Sequence, residues 1–230
     1  MEGRLEHGFR ARFRSLARLV GRADPDAEAE RLIEEARASG SRGAAHARGL
    51  AALWLREASE AKQAAGGRAD VGASEHTPRF LCDPSLGGLA RWLRAAGFEA
   101  DVAAGVAGHR LPDEALGLGR VLLTTEAEVL DRRIVADGSL VVVWVPSALT
   151  MSEQLRMVAL DLGLTLHEPR CMRCGGMLEK AAKEAVRPRI PPRTALWKDE
   201  YFVCAACGGL FWQGTHWERI ARTLAEALPR

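Results

Sequence analysis

The stretch Arg79-Phe-Leu-Cys-Asp83-Pro-Ser-Leu-Gly-Gly-Leu-Ala-Arg-Trp-Leu-Arg94 decides how the rest of the chain is read. It opens with a short apolar run from Phe80 to Cys82, the length of a strand buried on both faces. Asp83 closes the run, and Pro84 brings the fixed φ that suits the first position of a helix. Leu86, Leu89, Ala90 and Leu93 then recur at helical spacing, with Arg91 and Arg94 on another face. Strand, acidic turn and helix in that order predict a parallel α/β sheet, in which such a turn lies at the carboxyl edge where ligands bind. Asp83 has two readings at this point: an N-cap worth about 1 kcal/mol, or a chemical group.

A second stretch, Arg120-Val-Leu-Leu-Thr-Thr-Glu126-Ala-Glu128-Val-Leu-Asp131, repeats the pattern of aliphatic run, hydroxyls, acid and helical spacing. Two such strand ends side by side would bring Asp83 and Glu126 together. Paired carboxylates suit a hard cation such as Mg²⁺, which takes oxygen ligands and keeps several waters. The same residues also fit a capping box, with Thr125 answering Glu128.

Downstream, an extended piece near 98–103, a Gly-rich segment with one helical turn after Pro112, and a strand at 121–123 follow. A helix at 126–136, the β run 140–145 and a helix opened by Thr150 or Ser152 complete the pattern. Strands alternating with helices predict a parallel sheet with crossover connections over residues 79–166. Upstream, residues 1–65 are predicted to be helical. Leu5, Phe9, Phe13, Leu16 and then Leu19 or Val20 trace one stripe; Asp24-Pro25 starts a second helix with Leu32, Ile33 and Ala36; Leu50, Leu53 and Trp54 anchor a third. Such helices make a small bundle or pack on the following domain, with Gly66 to Pro78 as a linker. Residues 1–22 carry six arginines against two acids. Arg10, Arg14 and Arg18 are then either solvated surface or a contact for nucleic acid or a protein partner.

The 230 residues carry a formal net charge of only +2, so no global claim about polyanions follows. No apolar run reaches the roughly 18 residues of a membrane span, and no signal-peptide core follows the N-terminus, so a cytoplasmic protein without membrane contact is expected. Four of the five cysteines form Cys-x-x-Cys pairs, which outside secretion favours metal over disulfides. Cys171-Met-Arg-Cys174-Gly-Gly and Cys204-Ala-Ala-Cys207-Gly-Gly are matching knuckles twenty-nine residues apart. Together they predict a closed structural Cys₄ site for Zn²⁺ within a ribbon over residues 167–215. Arg187, Arg189, Arg193 and Lys198 lie between them with Trp197 and Tyr201, and Phe211 and Trp212 follow. Those aromatics either form the ribbon's core or stack single-stranded nucleic acid. A last helix spans 216–230, beginning at His216, which is read as a packing or hydrogen-bonding residue rather than a ligand.

Taken together, Arg79–Arg94, Val121–Glu126, the two knuckles, Ile190-Pro-Pro-Arg193 and Phe211-Trp-Gln-Gly-Thr-His-Trp-Glu-Arg219 resemble the mutator-seven C-terminal ribonuclease domain family over roughly two-thirds of the chain. The resemblance implies a PIN-like α/β nuclease domain with an appended zinc ribbon. It implies cleavage of RNA, single-stranded in the expected substrate, by acids that hold Mg²⁺ or Mn²⁺. On that basis Asp83 matches the first acid, Glu126 replaces an aspartate, Asp101 or Glu128 assists, and Arg91 and Arg94 contact phosphate. Relatives carry an acidic cluster where this chain has Ala103, Ala104 and Gly105. Two expectations follow: a metal-dependent ribonuclease with a reduced acidic site, or a scaffold that binds RNA or protein without catalysis.

Overall fold

The computed structural model describes residues 2–64 and 77–228, so the linker expected at Gly66 to Pro78 lies outside the described residues except at its last two positions. Three helices come first: α1 (Glu2–Leu19), α2 (Pro25–Ala38) and α3 (Gly43–Ala64). Asp24 caps α2 by accepting from the Ala27 amide at 3.0 Å. Phe9, Phe13, Leu32, Ile33, Leu50 and Trp54 pack together, and the stripe on α1 stops at Leu16, since Leu19 and Val20 are exposed. Trp144, Leu149 and Met157 join the same cluster, so the helices form a bundle and dock on the following domain at once. At that joint the buried Arg12 meets Asp161 at 2.6 Å, donates to the Trp144 carbonyl at 2.7 and 3.1 Å, and lies over the Trp54 ring. Arg10 and Arg14 pair with Glu30 and Asp26 of α2. Much of the basic face of α1 is therefore spent on its neighbour.

Strands β1 (Arg79–Cys82), β2 (Glu99–Val102), β3 (Val121–Thr124) and β4 (Val142–Trp144) form a parallel sheet in the order β2-β1-β3-β4. Helices α4 (Gly87–Ala95), α5 (Leu111–Gly117) and α6 (Arg133–Ala136) connect them, and α7 (Met151–Leu162) follows β4. Side chains alternate as a pleated strand requires. Phe80, Cys82, Leu123 and Val143 share a core with Leu89, Leu93, Leu155 and Val158, while Leu81 and Leu122 share another with Leu111 and Ala115. Burial on both faces is why β1 and β3 read as plain apolar runs.

Two expected helices are broken. The one from Pro84 begins as a 3-10 turn (Pro84–Leu86) and becomes α only at Gly87. The one at 126–136 splits into a 3-10 run (Ala127–Asp131) and α6, because Arg132 is extended at φ −68°, ψ 141°. Its guanidinium donates to the His109 carbonyl at 2.7 Å, which ties that break to the loop before α5.

Beyond α7 lies a separate antiparallel sheet of β5 (Leu178–Ala181), β6 (Tyr201–Cys204) and β7 (Leu210–Trp212), with α8 (Lys183–Val186) and α9 (Pro192–Trp197) between β5 and β6. Helix α10 (Thr215–Ala227) then returns Ile220, Leu224 and Ala227 to the core of the parallel sheet. The cysteine-bearing module is thus inserted between two helices that both cover that sheet. No helix among the described residues is long and apolar enough to cross a membrane.

Glu6 ties the bundle together: it accepts from Arg37 of α2 at 2.6 and 2.9 Å and faces His46 of α3 at 3.2 Å. The Arg37 hydrogen bond, opposed by burial and aided by His46, holds the Glu6 carboxyl below its ordinary range. A value lowered on folding stabilises above the ordinary carboxylate pKa of about 4.3, and that contribution is lost as pH falls through the lowered value. Urea unfolding between neutral and acid pH is expected to show a drop in stability below about pH 4 that Glu6→Gln removes, the variant being the weaker protein at neutral pH.

Candidate active site and cysteine cluster

Strand β1 lies between β2 and β3, so its end sits inside the carboxyl edge of the sheet rather than at a corner. Asp83 occupies that end, its amide donating to the Leu123 carbonyl at 2.8 Å. The side chain is 9% exposed. Its Oδ1 accepts from the Ser85 amide at 2.9 Å and the Ser85 hydroxyl at 2.8 Å, while Oδ2 faces the Thr124 and Thr125 hydroxyls, each at 3.4 Å. Asp83 therefore caps the turn after β1, as local sequence suggests, and does so at the edge where ligands enter.

On the neighbouring strand end, Thr124 Oγ1 accepts from the Glu126 amide at 3.1 Å, and the exposed Glu126 carboxylate follows. The Thr125 carbonyl accepts from the Trp144 indole N–H at 3.1 Å. Trp144 is held in turn by α1. A Cβ on Gly8 would stand 2.6 Å from the indole, Phe9 meets it edge-on at 5.2 Å, and Arg12 binds its carbonyl. The first helix of the chain thereby supports the turn between Thr125 and Glu126.

The other two acids read from the sequence are placed elsewhere. Asp101 is in register with Leu81, two positions short of the edge, and pairs with Arg120 at 2.5 Å. One step past the Cys82–Val102 pair, the residue flanking Asp83 is Ala103, whose amide donates to the Cys82 carbonyl at 2.9 Å. Glu128 pairs with Arg4 of α1 at 3.2 Å, and the capping box with Thr125 does not form. Among the described residues, no three His, Cys, Asp or Glu side chains at this edge approach closely enough to share one ion. Asp83 and Glu126 are the acids brought to adjacent strand ends. Ser85, Thr124 and Trp144 were not singled out in sequence. A Ser two residues after Asp carries a recognisable turn signal, whereas nothing local marks Trp144.

Arg91 and Arg94 part company. Arg91 is exposed on α4, whereas Arg94 is buried. Arg94 Nε donates to the Ala100 carbonyl at 2.7 Å, and the guanidinium reaches the Met172 and Arg173 carbonyls at 3.3 and 3.0 Å, with Asp101 at 3.6 Å. Its donors face the first knuckle and β2 rather than solvent.

Cys171, Cys174, Cys204 and Cys207 offer four sulfurs that lie within 4.8 Å of one another. Cys171 and Cys207 are 3.7 Å apart and Cys174 and Cys204 3.5 Å apart, far beyond a disulfide and close to the edge of a tetrahedron with 2.3 Å zinc–sulfur bonds, about 3.8 Å. Amides of Arg173 and Cys174 point at the Cys171 sulfur, and those of Ala206 and Cys207 at Cys204. Gly175 and Gly208 turn each knuckle at φ +81° and +67°, and a Cβ on Gly176 would stand 2.8 Å from the Cys204 sulfur. This donor set is compatible with zinc. His216 is exposed and lies outside it. Cys82, the fifth cysteine, is buried at the end of β1, and burial pushes its thiol up to about 12, which suits packing rather than chemistry.

A family model described as Mut7-C RNAse domain matches residues 78–224. No curated protein and no solved structure matches the chain.

Removing the Arg94 guanidinium strips donors from three carbonyls at the joint between sheet and cysteine module. Arg94→Ala is expected to lose about 2–3 kcal/mol in urea unfolding and to release metal faster to a competing chelator. Arg91→Ala is expected to stay within about 0.5 kcal/mol of the parent.

Proposed function

The chain belongs to the Mut7-C RNAse domain family, and from that premise we propose that it is a metal-dependent ribonuclease with a reduced acidic site on a PIN-like scaffold. The observation that carries this reading is Asp83 at the end of β1, with Glu126 just beyond the end of its hydrogen-bonded neighbour β3. Asp83 Oδ1 is occupied by Ser85, but Oδ2 has only two long hydroxyl contacts at 3.4 Å and so keeps lone-pair capacity. Asp83 and Glu126 would hold Mg²⁺ or Mn²⁺, whose preference for carboxylate oxygens and retained waters suits a site with so few protein ligands. Bound there, such an ion supplies an activated water and charge stabilisation for phosphodiester hydrolysis. Ser85 and the threonine hydroxyls orient the Asp83 carboxylate, Trp144 steadies the turn beside Glu126, and Arg91 meets a phosphate of the RNA strand. The cysteine cluster carries structural Zn²⁺ and takes no part in the chemistry.

Ala103 beside Asp83 favours a second reading, a scaffold that binds RNA or a protein partner and does not cut it. Cleavage of single-stranded RNA by the zinc-loaded protein with Mn²⁺ separates the two. The ribonuclease reading expects cleavage that stops when Mn²⁺ is withheld. It also expects Asp83→Asn and Glu126→Gln, both still folded, to lose at least the roughly 10–100-fold that a metal site's outer partners are worth. Intact RNA in every condition, with binding that survives Asp83→Asn, would leave the scaffold reading in its place.

A further inference from the structure

We infer that the cysteine module carries a contact for single-stranded RNA, built on Trp197 and Arg193 of α9; it rests on the reading that this protein acts on RNA. Trp197 closes α9 and is 82% exposed, with Leu196 beside it at 75%. The module does not need that indole for its own core, because Tyr201 is fully buried there with Val186 and Ile190, and Trp212 is partly buried against them. Among the described residues no ring or guanidinium stacks on Trp197. A tryptophan this open on a folded surface is informative in a way that a single exposed leucine is not.

The charge around it points to the occupant. Arg193 precedes Trp197 by four residues on one helix, so the two share a face. Arg187, Arg189 and Arg193 are exposed, and among the described residues none has a carboxylate within 4.0 Å. Among the acids of the module, Asp199 pairs with Lys183 at 2.8 Å and Glu200 with Lys180 at 2.7 Å, while Glu179 and Glu184 have no basic group within 4.0 Å among the described residues. An open indole with a guanidinium one helical turn before it matches a nucleic-acid strand, with a base to stack and a phosphate to neutralise. A duplex keeps its bases stacked inside and offers nothing for the indole, so the platform selects single strands. Two exposed apolar side chains, Leu196 and Trp197, fall far short of the roughly 800 Å² per partner of a stable protein interface.

The test is fluorescence anisotropy of a short labelled oligouridylate, and of a duplex RNA of equal length, with the full zinc-loaded chain and no added Mg²⁺ or Mn²⁺. Trp197→Ala is expected to weaken single-strand binding roughly tenfold, with Trp197→Phe recovering most of it and the duplex little affected. Arg193→Gln should lower the salt dependence by about one unit of slope. Circular dichroism and zinc content guard against a folding defect, which an exposed position makes improbable on physical grounds. Single-strand binding equal to the parent in Trp197→Ala, equal losses on single and double strands, no binding by the parent, or a Trp197-dependent self-association in its place would each overturn the inference. Trp197-dependent binding without any Mn²⁺-dependent cleavage would sink the ribonuclease reading alone, and cleavage with Trp197-independent binding would sink this one alone.

Discussion

The Arg94 guanidinium lies inside the protein, between the edge strand of the sheet and the first cysteine knuckle. A cation there has to be given acceptors, because a buried charge without partners costs several kcal/mol. The acceptors it finds are carbonyl oxygens from two different parts of the chain, Ala100 on one side and Met172 and Arg173 on the other. That single planar fork joins the cysteine module to the sheet. Arg12 does the corresponding work at the other end, reaching Asp161 on α7 and the Trp144 carbonyl on β4. Both appended parts of the protein are thus fastened to the sheet by buried arginines as well as by apolar packing.

The same ion pairing shapes the acidic edge. Asp101 and Glu128 each stand against an arginine, Arg120 and Arg4. What remains free toward solvent is Glu126, with the partly engaged Asp83 beside it. The groups behind that edge fix how Asp83 and the turn before Glu126 are oriented. The hydroxyls of Ser85, Thr124 and Thr125 surround Asp83, and the Trp144 indole holds the Thr125 carbonyl. Trp144 rests on Gly8 and Phe9, residues outside the span that the family model matches. The N-terminal helices therefore belong to the architecture of this edge.

The cysteine cluster obeys a different logic. Its four sulfurs lie within 4.8 Å of one another, and a metal held by all four would leave no position for water or substrate. The cluster joins the loop before β5 to the end of β6 and the turn before β7 of a small sheet of three short strands. Only a few apolar side chains, Tyr201 foremost, back that sheet from within.

Local chemistry made the strand, the acidic turn and the paired knuckles legible: a doubly buried strand must be an apolar run, Asp-Pro must begin a turn, and Cys-x-x-Cys twice brought four sulfurs together. The order of strands and helices then implied the parallel sheet, and the linked motifs pointed to the family. Which charges meet was not legible, because an arginine on a helix looks the same whether it faces solvent or a carbonyl cage. Arg91 and Arg94 are three residues apart and differ only in what the fold places opposite them. Likewise a tryptophan at the end of a β run announces burial but not that its N–H will steady a turn on the next strand. Composition and spacing settle which elements form; the pairing of donors with acceptors distant in the chain exists only once those elements are packed, and it decided which acids at the sheet edge stand without an arginine.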